Sequence, residues 1–340
     1  MNQLIRKNIQ ALQPYSSARD EFSGEEGVFL DANENPFGAY NRYPDPYQNQ
    51  LKKEVSKIKK IPIENIFVGN GSDEAIDLLF RIFCNPGKDK ALTFTPTYGM
   101  YKVSAAINDV ELLEIPLNQF FEIDELTLKN SLVDPFLKLI FICSPNNPTG
   151  NSIPLKTVQT ILENFDGIVV VDEAYIDFSK EKSSLTILDK YANLVVLQTL
   201  SKAWGQAGLR IGFAFANDQI IYYLNKVKPP YNISKVNQQL AVKALKNRLL
   251  FENNKAEILS EKDKLEVALS KIKGISRIFP SETNFLLIQI ENADDVYTKL
   301  KSEKIIVRNR SSQIKNALRI TIGSPSENKK LIETLQKITQ

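Results

Sequence analysis

Four short polar segments of the chain contain the side chains best suited to chemistry. They read GNGSDE at 69–74, SPNNPTG at 144–150, DEAY at 172–175 and LSK at 200–202, and each adjoins an apolar run. An unpaired charge at the end of a buried strand is costly, so Asp172 and Lys202 need partners there. A single lysine in this position is usually a solvated residue at a helix start, and only the other segments favour a chemical role.

Together the four segments have the composition of a pyridoxal 5′-phosphate site. A buried lysine amine near a second cation is nucleophilic and forms a Schiff base with an aldehyde. A carboxylate such as Asp172 keeps a pyridine nitrogen protonated, and Asn and Tyr side chains bind the phenolate oxygen of the ring. A glycine-rich helix start, with Ser and Arg, binds a phosphate group. No single segment is decisive, whereas their ordered set is specific.

Composition restricts the chemistry further. The 340 residues include no histidine, which excludes Ser-His-Asp and Cys-His catalysis and His-ligated metal sites, and we expect no metal. The net charge is +3 with acids and bases interspersed, so we expect neither nucleic acid nor a membrane as partner. Two cysteines, Cys84 and Cys143, indicate a reducing compartment, and the polar N-terminus lacks the apolar core of a signal peptide. We therefore predict a cytoplasmic protein.

A scaffold that brings strand ends together is needed to position these segments, and the apolar pattern predicts one. Between about residues 64 and 216, β-branched apolar runs alternate with helical patterns. The predicted strands are 66–68, 91–94, 138–143, 167–171, 194–199 and 211–216, with helices at 73–83 and 98–107. Such runs are typical of a mainly parallel sheet covered by helices on both faces, where ligands bind beyond the carboxyl ends of the strands.

The pattern changes after about residue 235. One long charged helix is predicted at about 235–273, then strands at 277–278, 284–290, 305–307 and 318–322, and helices at 293–303 and 326–339. This arrangement predicts a smaller α+β domain at the C-terminus.

The order of the motifs resembles the fold-type I, class-II aminotransferases that depend on pyridoxal 5′-phosphate. The resemblance rests on GNGSDE, PTYGMY (96–101), SPNNPTG, DEAY and SKxxxxxGLR (201–210), and on the thirty-residue interval from Asp172 to Lys202. It implies an α/β fold of type I, with a large domain built on a mainly parallel seven-stranded sheet between helices and a smaller α+β C-terminal domain. Three regions are implied. Residues 1–45 form an N-terminal arm with part of the small domain, residues 46–235 form the large cofactor-binding domain, and residues 236–340 form the small domain.

The resemblance also implies which residues serve the cofactor ring. Lys202 matches the lysine that forms the Schiff base and carries the proton, Asp172 matches the partner of the pyridine nitrogen, and Tyr98 matches the stacking ring. Asn147 and Tyr175 would bind the O3′ oxygen, and Tyr175 would join Lys202 and Asp172 as a catalytic residue. Structural alternatives are a salt bridge for Asp172, core packing for the tyrosines and turn capping for Asn147.

The cofactor phosphate would be held at a helix start and by the segment around the lysine. The implied phosphate residues are Gly71, Ser72, Asp73, Ser201 and Arg210. Ser72 and the acids after it are also residue types that favour the start of a helix. Helix capping and phosphate binding are compatible interpretations of this segment.

Further segments are similar to family members that act on L-histidinol phosphate: LQPY (12–15), LDANENPFG (30–38), NRYPDPYQ (41–48), PYNIS (230–234), IIVRNR (305–310) and LRITIG (318–323). The implied ping-pong reaction transfers the amino group to 2-oxoglutarate and yields imidazole-acetol phosphate and L-glutamate, a step of histidine biosynthesis. The implied substrate residues are Tyr15, Tyr43, Asn147, Tyr231, Arg308 and Arg319. Both arginines would bind the anionic end, and Tyr43 would reach the site of the partner subunit in a homodimer.

Three other functions are compatible with the same cofactor residues. The scaffold could decarboxylate an O-phospho-amino acid such as threonine phosphate, or transfer the amino group of aromatic amino acids. A regulator that only binds pyridoxal 5′-phosphate is the non-enzyme alternative. The chain contains the whole cofactor set and no attached DNA-binding domain, which favours an enzyme.

Overall fold

A computed structural model describes residues 2–15 and 27–339. Seven strands form the larger of two sheets: β1 Ile66–Asn70, β2 Lys90–Thr95, β3 Glu111–Pro116, β4 Leu137–Cys143, β5 Ile168–Asp172, β6 Leu194–Thr199 and β7 Ile211–Ala216. Their order across the sheet is β1-β7-β6-β5-β4-β2-β3. Neighbouring strands are parallel except β7, which is antiparallel to both β1 and β6. The prediction of a mainly parallel seven-stranded sheet is confirmed.

Helices cover both faces of this sheet. They are α1 Lys7–Ala11, α2 Asn49–Lys59, α3 Ser72–Phe83, α4 Met100–Ile107, α5 Glu125–Ser131, α6 Leu155–Asn164, α7 Asp218–Val227 and α8 Lys235–Lys246. Successive side chains of a strand point to opposite faces, so β5 places Ile168 and Val170 in a core with α3 and α7. Val169 and Val171 lie in a second core with α2, α6 and α8. Burial on both faces explains why these strands are almost entirely apolar.

The C-terminal part of the chain forms a second, antiparallel sheet covered by helices on one face. Its elements are α9 Arg248–Leu269, β8 Ile275–Ile278, β9 Phe285–Ile290, α10 Ala293–Ser302, β10 Arg308–Asn309, β11 Ala317–Thr321 and α11 Pro325–Ile338. The strand order is β10-β11-β9-β8. Leu318 and Ile320 of β11 pack into a core with α9, α10 and α11. Arg319, between them, therefore points to the opposite face of the sheet.

Two predicted elements differ from the structure, and strand β3 was not predicted. The helix predicted at 235–273 is two helices, because Asn247 ends α8 and its side chain accepts a hydrogen bond from Leu250 N at 3.3 Å to begin α9. The strand predicted at 305–307 was wrong: Ile305 N bonds to the α10 carbonyl of Leu300, and pairing starts at Arg308. Strand β3 was not predicted, since it lies at the sheet edge and its side chains are mostly not buried.

The N-terminal arm is described only in part, because residue 1 and residues 16–26 lie outside the described residues. Ile5 and Ile9 pack into the same core as α3 and α7. Helix α9 contributes Phe251 to the core of the large sheet and Leu265 to that of the small sheet. The domain boundaries at 45 and 235 stay predictions. None of the helices within the described ranges combines the length and apolarity that a membrane crossing requires.

Candidate functional site

The carboxyl ends of β4, β5 and β6 meet at one edge of the large sheet, and this edge forms a pocket. The three strands are parallel neighbours, so the segments that follow them lie side by side. Every residue predicted to bind the cofactor lines this pocket: Gly71, Ser72, Asp73, Tyr98, Asn147, Asp172, Tyr175, Ser201, Lys202 and Arg210. Residues separated by up to about 140 positions in the sequence are thus brought together by the sheet topology.

Asp172, the last residue of β5, is an almost fully buried carboxylate that is 3% exposed. Its Oδ2 accepts a hydrogen bond from Tyr101 Oη at 2.8 Å, and its Oδ1 accepts one from Ala174 N at 3.1 Å. Burial raises the pKa of Asp172 to about 6, while the two hydrogen bonds act in the opposite direction. The carboxylate is therefore anionic at neutral pH and is suited to pair with a cation such as a protonated ring nitrogen.

Lys202 follows β6 and is half-buried, with its Nζ 5.7 Å from the centroid of the Tyr175 ring. Burial lowers the pKa of Lys202 below its ordinary value, and the positive charges of Arg319 and Arg210 act in the same direction. A lower pKa increases the fraction of neutral amine, which is the nucleophilic form. These surroundings favour a reactive amine over a solvated ammonium group.

The start of α3 forms an anion cradle together with Arg210. Gly71 has a φ of +77°, and within the part of the chain that the structure describes no side chain caps the helix N-terminus that follows it. A Cβ on Gly71 would lie 2.5 Å from Arg210 Nη2, so the guanidinium approaches the helix start because residue 71 is glycine. Thr199 Oγ1 donates to Ser201 Oγ at 2.9 Å beside them.

This donor set fits pyridoxal 5′-phosphate. A helix N-terminus, hydroxyl groups and a guanidinium are the usual partners of a phosphate group. Asp172, in the same pocket, is the anion that a pyridinium nitrogen requires, and Lys202 is the amine that its aldehyde requires.

Three polar side chains complete the pocket wall. Tyr98 Oη donates to Asp73 Oδ1 at 3.1 Å, and its ring meets the Tyr101 ring edge-on at 5.6 Å. Asn147 Nδ2 donates to Tyr175 Oη at 3.4 Å, and both residues are buried. Burial raises the pKa of Tyr175, so the phenol is protonated at neutral pH and is a hydrogen-bond donor for an anionic oxygen.

Of the residues predicted to bind substrate, Arg319 is the one from the small sheet that reaches the pocket wall. Its Nη1 donates to Asn147 Oδ1, and its guanidinium lies 5.1 Å from the centroid of the Phe285 ring. Arg308 is directly opposite Arg319 in the β10–β11 register, and its side chain is exposed. Arg308 and Arg319 therefore lie on one face of the small sheet, although Arg308 does not line the pocket of Lys202 within the described residues.

The three predicted substrate tyrosines lie together but outside that pocket. Tyr15 and Tyr231 line a separate groove with Lys226 and Lys228. Tyr43 stacks on Tyr231 with ring centroids 4.4 Å apart. Within the described part of a single chain, the structure does not bring these tyrosines to Lys202.

Sequence reasoning missed Tyr101 and Thr199. Tyr101 lies in the first turn of α4 and its side chain is fully buried. A buried phenol needs a hydrogen-bond partner, and this rule points to an acceptor such as Asp172. Glu173, by contrast, had no assigned role, and its carboxylate accepts hydrogen bonds from Ser184 N at 2.6 Å and Gln198 Nε2 at 2.9 Å. Those contacts are structural.

Comparisons with known proteins agree with this geometry. A family model described as aminotransferase class I and II matches residues 25–335. A relative from Cytophaga hutchinsonii, named histidinol-phosphate aminotransferase, is 48% identical over 99% of this chain and 98% of its own length. The solved histidinol-phosphate aminotransferase from Clostridium acetobutylicum shares the fold with a TM-score of 0.80 at 24% identity, covering 91% of this chain and 98% of its own.

A second solved structure has the cofactor bound. It is the histidinol-phosphate aminotransferase from Sinorhizobium meliloti in complex with pyridoxal 5′-phosphate, which matches with a TM-score of 0.81 at 20% identity. The match covers 91% of this chain and 89% of that one. At this level of identity the likeness shows the shared fold.

Proposed function

The chain belongs to the class I and II aminotransferase family and depends on pyridoxal 5′-phosphate, and on this premise we propose that it transfers the amino group of L-histidinol phosphate to 2-oxoglutarate. The products are imidazole-acetol phosphate and L-glutamate, a step of histidine biosynthesis. One observation carries the proposal: Arg319 of the small sheet meets Asn147 at the wall of the pocket that contains Lys202. A cation for the anionic end of a substrate thus adjoins the reactive amine.

The residues of the pocket have distinct roles in this proposal. Pyridoxal 5′-phosphate, when bound, supplies an electron sink for the negative charge that develops at the amino-bearing carbon. Asp172 keeps the ring nitrogen protonated by its negative charge, and Tyr101 orients that carboxylate by a hydrogen bond. Lys202 Nζ removes and returns the proton at the amino-bearing carbon, a role that its lowered pKa favours. Tyr175 and Asn147 would donate hydrogen bonds to the ring oxygen of the bound cofactor.

The remaining roles concern anions. The cofactor phosphate would be held by backbone N–H groups at the start of α3, in the segment Gly71, Ser72 and Asp73, and by the side chains of Ser201 and Arg210. Arg319 and Arg308 bind the phosphate ester of the donor and the distal carboxylate of 2-oxoglutarate. Planar guanidinium groups suit both anions because they donate pairs of hydrogen bonds. The high identity to the C. hutchinsonii relative over nearly the whole chain supports this substrate.

A panel of amino donors assayed with 2-oxoglutarate tests the substrate. We expect L-histidinol phosphate to give the highest kcat/KM, measured by glutamate formation. The outcome that would overturn the proposal is a higher kcat/KM for an aromatic amino acid, or carbon dioxide release from threonine phosphate without glutamate formation. Lys202→Ala, assayed in parallel, is the control for turnover that does not come from this site.

We further propose that the active form is a homodimer in which Tyr43 enters the partner's site. Segment 27–47 exposes several large apolar side chains, namely Val28, Leu30, Phe37, Tyr40, Tyr43 and Tyr47. Exposed apolar residues that cluster in one segment are typical of a protein interface. Tyr43 does not line the pocket of its own chain within the described residues, so a second chain would supply it.

Complementation distinguishes the two arrangements. Lys202→Ala and Tyr43→Ala chains, each weakly active or inactive alone, are co-expressed and the mixed dimer is purified with two affinity tags. If Tyr43 acts across the interface, one site of the mixed dimer is intact and activity returns. If the mixed dimer is no more active than its parents, Tyr43 serves its own chain.

The cytoplasmic location is likewise a proposal, supported by two buried cysteines that are not in a disulfide.

A further inference from the structure

We propose that Arg310 is a specificity-determining residue, a third guanidinium that binds the phosphate ester of the amino donor and distinguishes it from a carboxylate. This inference rests on the proposed function and adds a residue that neither the motifs nor the family resemblance assigned. The segment that carries it is the β10–β11 hairpin, residues 308–319.

The register of the hairpin places three arginines on one face. Arg308 lies opposite Arg319, and the Arg310 N–H donates to Ala317 O at 2.9 Å, so residue 310 lies opposite residue 317. In an antiparallel pair, opposite residues share a face, and residues two apart on a strand share it too. Arg308, Arg310 and Arg319 therefore project to the same side as the pocket, because Arg319 reaches Asn147 there.

The guanidinium of Arg310 is incompletely satisfied. Its Nε is buried and has no hydrogen-bond partner among the described residues, as is also true of Arg319 Nε and Ser311 Oγ. Three of the seven such atoms in the described residues thus belong to this hairpin. The Nη1 of Arg310 donates a long hydrogen bond, 3.4 Å, to Gln313 Oε1. Buried polar groups in proteins are normally paired, so these donors indicate a ligand.

The charges around Arg310 point to the kind of ligand. Among the described residues, no carboxylate forms an ion pair with Arg308, Arg310 or Arg319. Burial and the neighbouring Arg319 and Arg308 lower the pKa of Arg310 to about 10, and the phenol of Tyr175 acts in the opposite direction. Tyr175 lines the pocket, so the positive charge of Arg310 interacts with one residue of the pocket wall. A cluster of three cations without a counter-charge requires an anion, and a doubly charged one neutralises it best.

A phosphate monoester and a carboxylate differ in how many of these groups they can use. A carboxylate has two oxygens and one negative charge, which Arg319 and one further cation satisfy. A phosphate monoester has three terminal oxygens and up to two charges, and so has an acceptor left for Arg310. The two substrates of the proposed reaction differ in this respect, so Arg310 should discriminate between them.

The test compares Arg310→Gln and Arg310→Lys with Lys315→Gln, using the cofactor-loaded enzyme. Lys315 is exposed and belongs to the same hairpin. Its substitution therefore removes one positive charge and leaves the three arginine side chains on the pocket side of the hairpin in place. KM and kcat are measured for L-histidinol phosphate, for L-histidinol, which lacks the phosphate, and for 2-oxoglutarate. Inhibition by inorganic phosphate is measured in the same assays, and circular dichroism reports folding.

We expect Arg310→Gln to raise KM for L-histidinol phosphate and the inhibition constant of inorganic phosphate about 10- to 100-fold, the usual effect of losing one charge-assisted hydrogen bond. In Arg310→Gln, KM for 2-oxoglutarate and kcat/KM for L-histidinol should change less than about threefold. Arg310→Lys should recover part of the loss in phosphate binding. Lys315→Gln should match the wild type in all of these constants. Equal effects on all substrates, or no effect on any, would overturn the inference.

The failure of the proposed function is distinguishable from the failure of this inference. If the wild-type enzyme does not turn over L-histidinol phosphate, the proposed function fails. Inorganic phosphate then competes against whichever donor the enzyme accepts, and a Ki unchanged by Arg310→Gln would overturn the role of Arg310 independently. If Arg310→Gln does not fold, Arg310→Lys is compared with the wild type on the same substrates. This variant keeps the positive charge and removes the paired N–H donors of the guanidinium group.

Discussion

Tyr101→Phe removes the hydroxyl that donates to Asp172 and leaves the ring in place. The hydrogen bond is 2.8 Å long, and both residues are buried, with Tyr101 at 0% exposure and Asp172 at 3%. A hydrogen bond to a charged group contributes about 1.5–3 kcal/mol, and 1.36 kcal/mol corresponds to one pKa unit. The bond favours the carboxylate form, so its loss should raise the pKa of Asp172 by about 1–2 units, from about 6 to about 7–8.

The affinity of the cofactor-free protein for pyridoxal 5′-phosphate between pH 5 and 9 measures this shift. Affinity should fall below the pKa of Asp172, because a neutral carboxyl no longer pairs with the protonated ring nitrogen. We expect the midpoint of that fall to move about 1–2 pH units upward in Tyr101→Phe, when the absorbance of the bound cofactor is followed.

Tyr191→Phe is the matched control for this measurement. It removes a phenol–carboxylate hydrogen bond of the same length, 2.8 Å to Glu163, which is exposed and lies outside the pocket lining within the described residues. Its midpoint should equal that of the wild type. A Tyr101→Phe protein that folds normally and keeps the wild-type midpoint would refute the reasoning, since Asp172 would then not depend on Tyr101 for its charge.

Three further predictions follow from the same geometry. Lys202→Ala should lower turnover by about 10²–10⁴-fold from the lost proton transfer alone, measured by glutamate formation, with an unchanged circular dichroism spectrum; normal turnover would contradict the role of the lysine. The cofactor-free protein should lose stability as pH rises from about 4 to about 6, because burial raises the pKa of Asp172 and the folded state holds the proton longer than the unfolded state. Asp172→Asn should remove the share of this pH dependence that comes from Asp172, up to about 3 kcal/mol in the free energy of unfolding measured in urea, while Glu173, whose pKa burial also raises, keeps its own share. An unchanged slope would show that Asp172 does not contribute to it. Gly212→Ala places a Cβ 2.2 Å from Ser72 N and should weaken cofactor retention on dialysis, whereas Gly208→Ala meets no atom within 4 Å and serves as the control; equal retention in the two variants would argue against the α3 cradle.

Much of the fold could be predicted because burial leaves a simple pattern. Strands β4, β5, β6 and β7 are covered on both faces and read as continuous apolar runs, which located them within a residue or two. The edge strand β3 and the hairpin strand β10 lack such a run, and they were missed or misplaced. The break at Asn247 was missed because it depends on one side-chain hydrogen bond, which helical periodicity does not report.

Most of the residues predicted to bind the cofactor could be picked out because they follow a strand or begin a helix within a short motif, and parallel strands end at one edge. The sequence by itself thus determined the chemical types and the order of Asn147, Asp172 and Lys202, and hence the cofactor. Only the tertiary structure decided what each of them contacts: that Tyr101 donates to Asp172, that Arg319 arrives from another sheet, and that Arg310 shares a face with it. The physical reason is that hydrogen bonds and charge effects depend on distances of a few ångströms between residues far apart in sequence, which strand register and sheet packing set and local pattern does not.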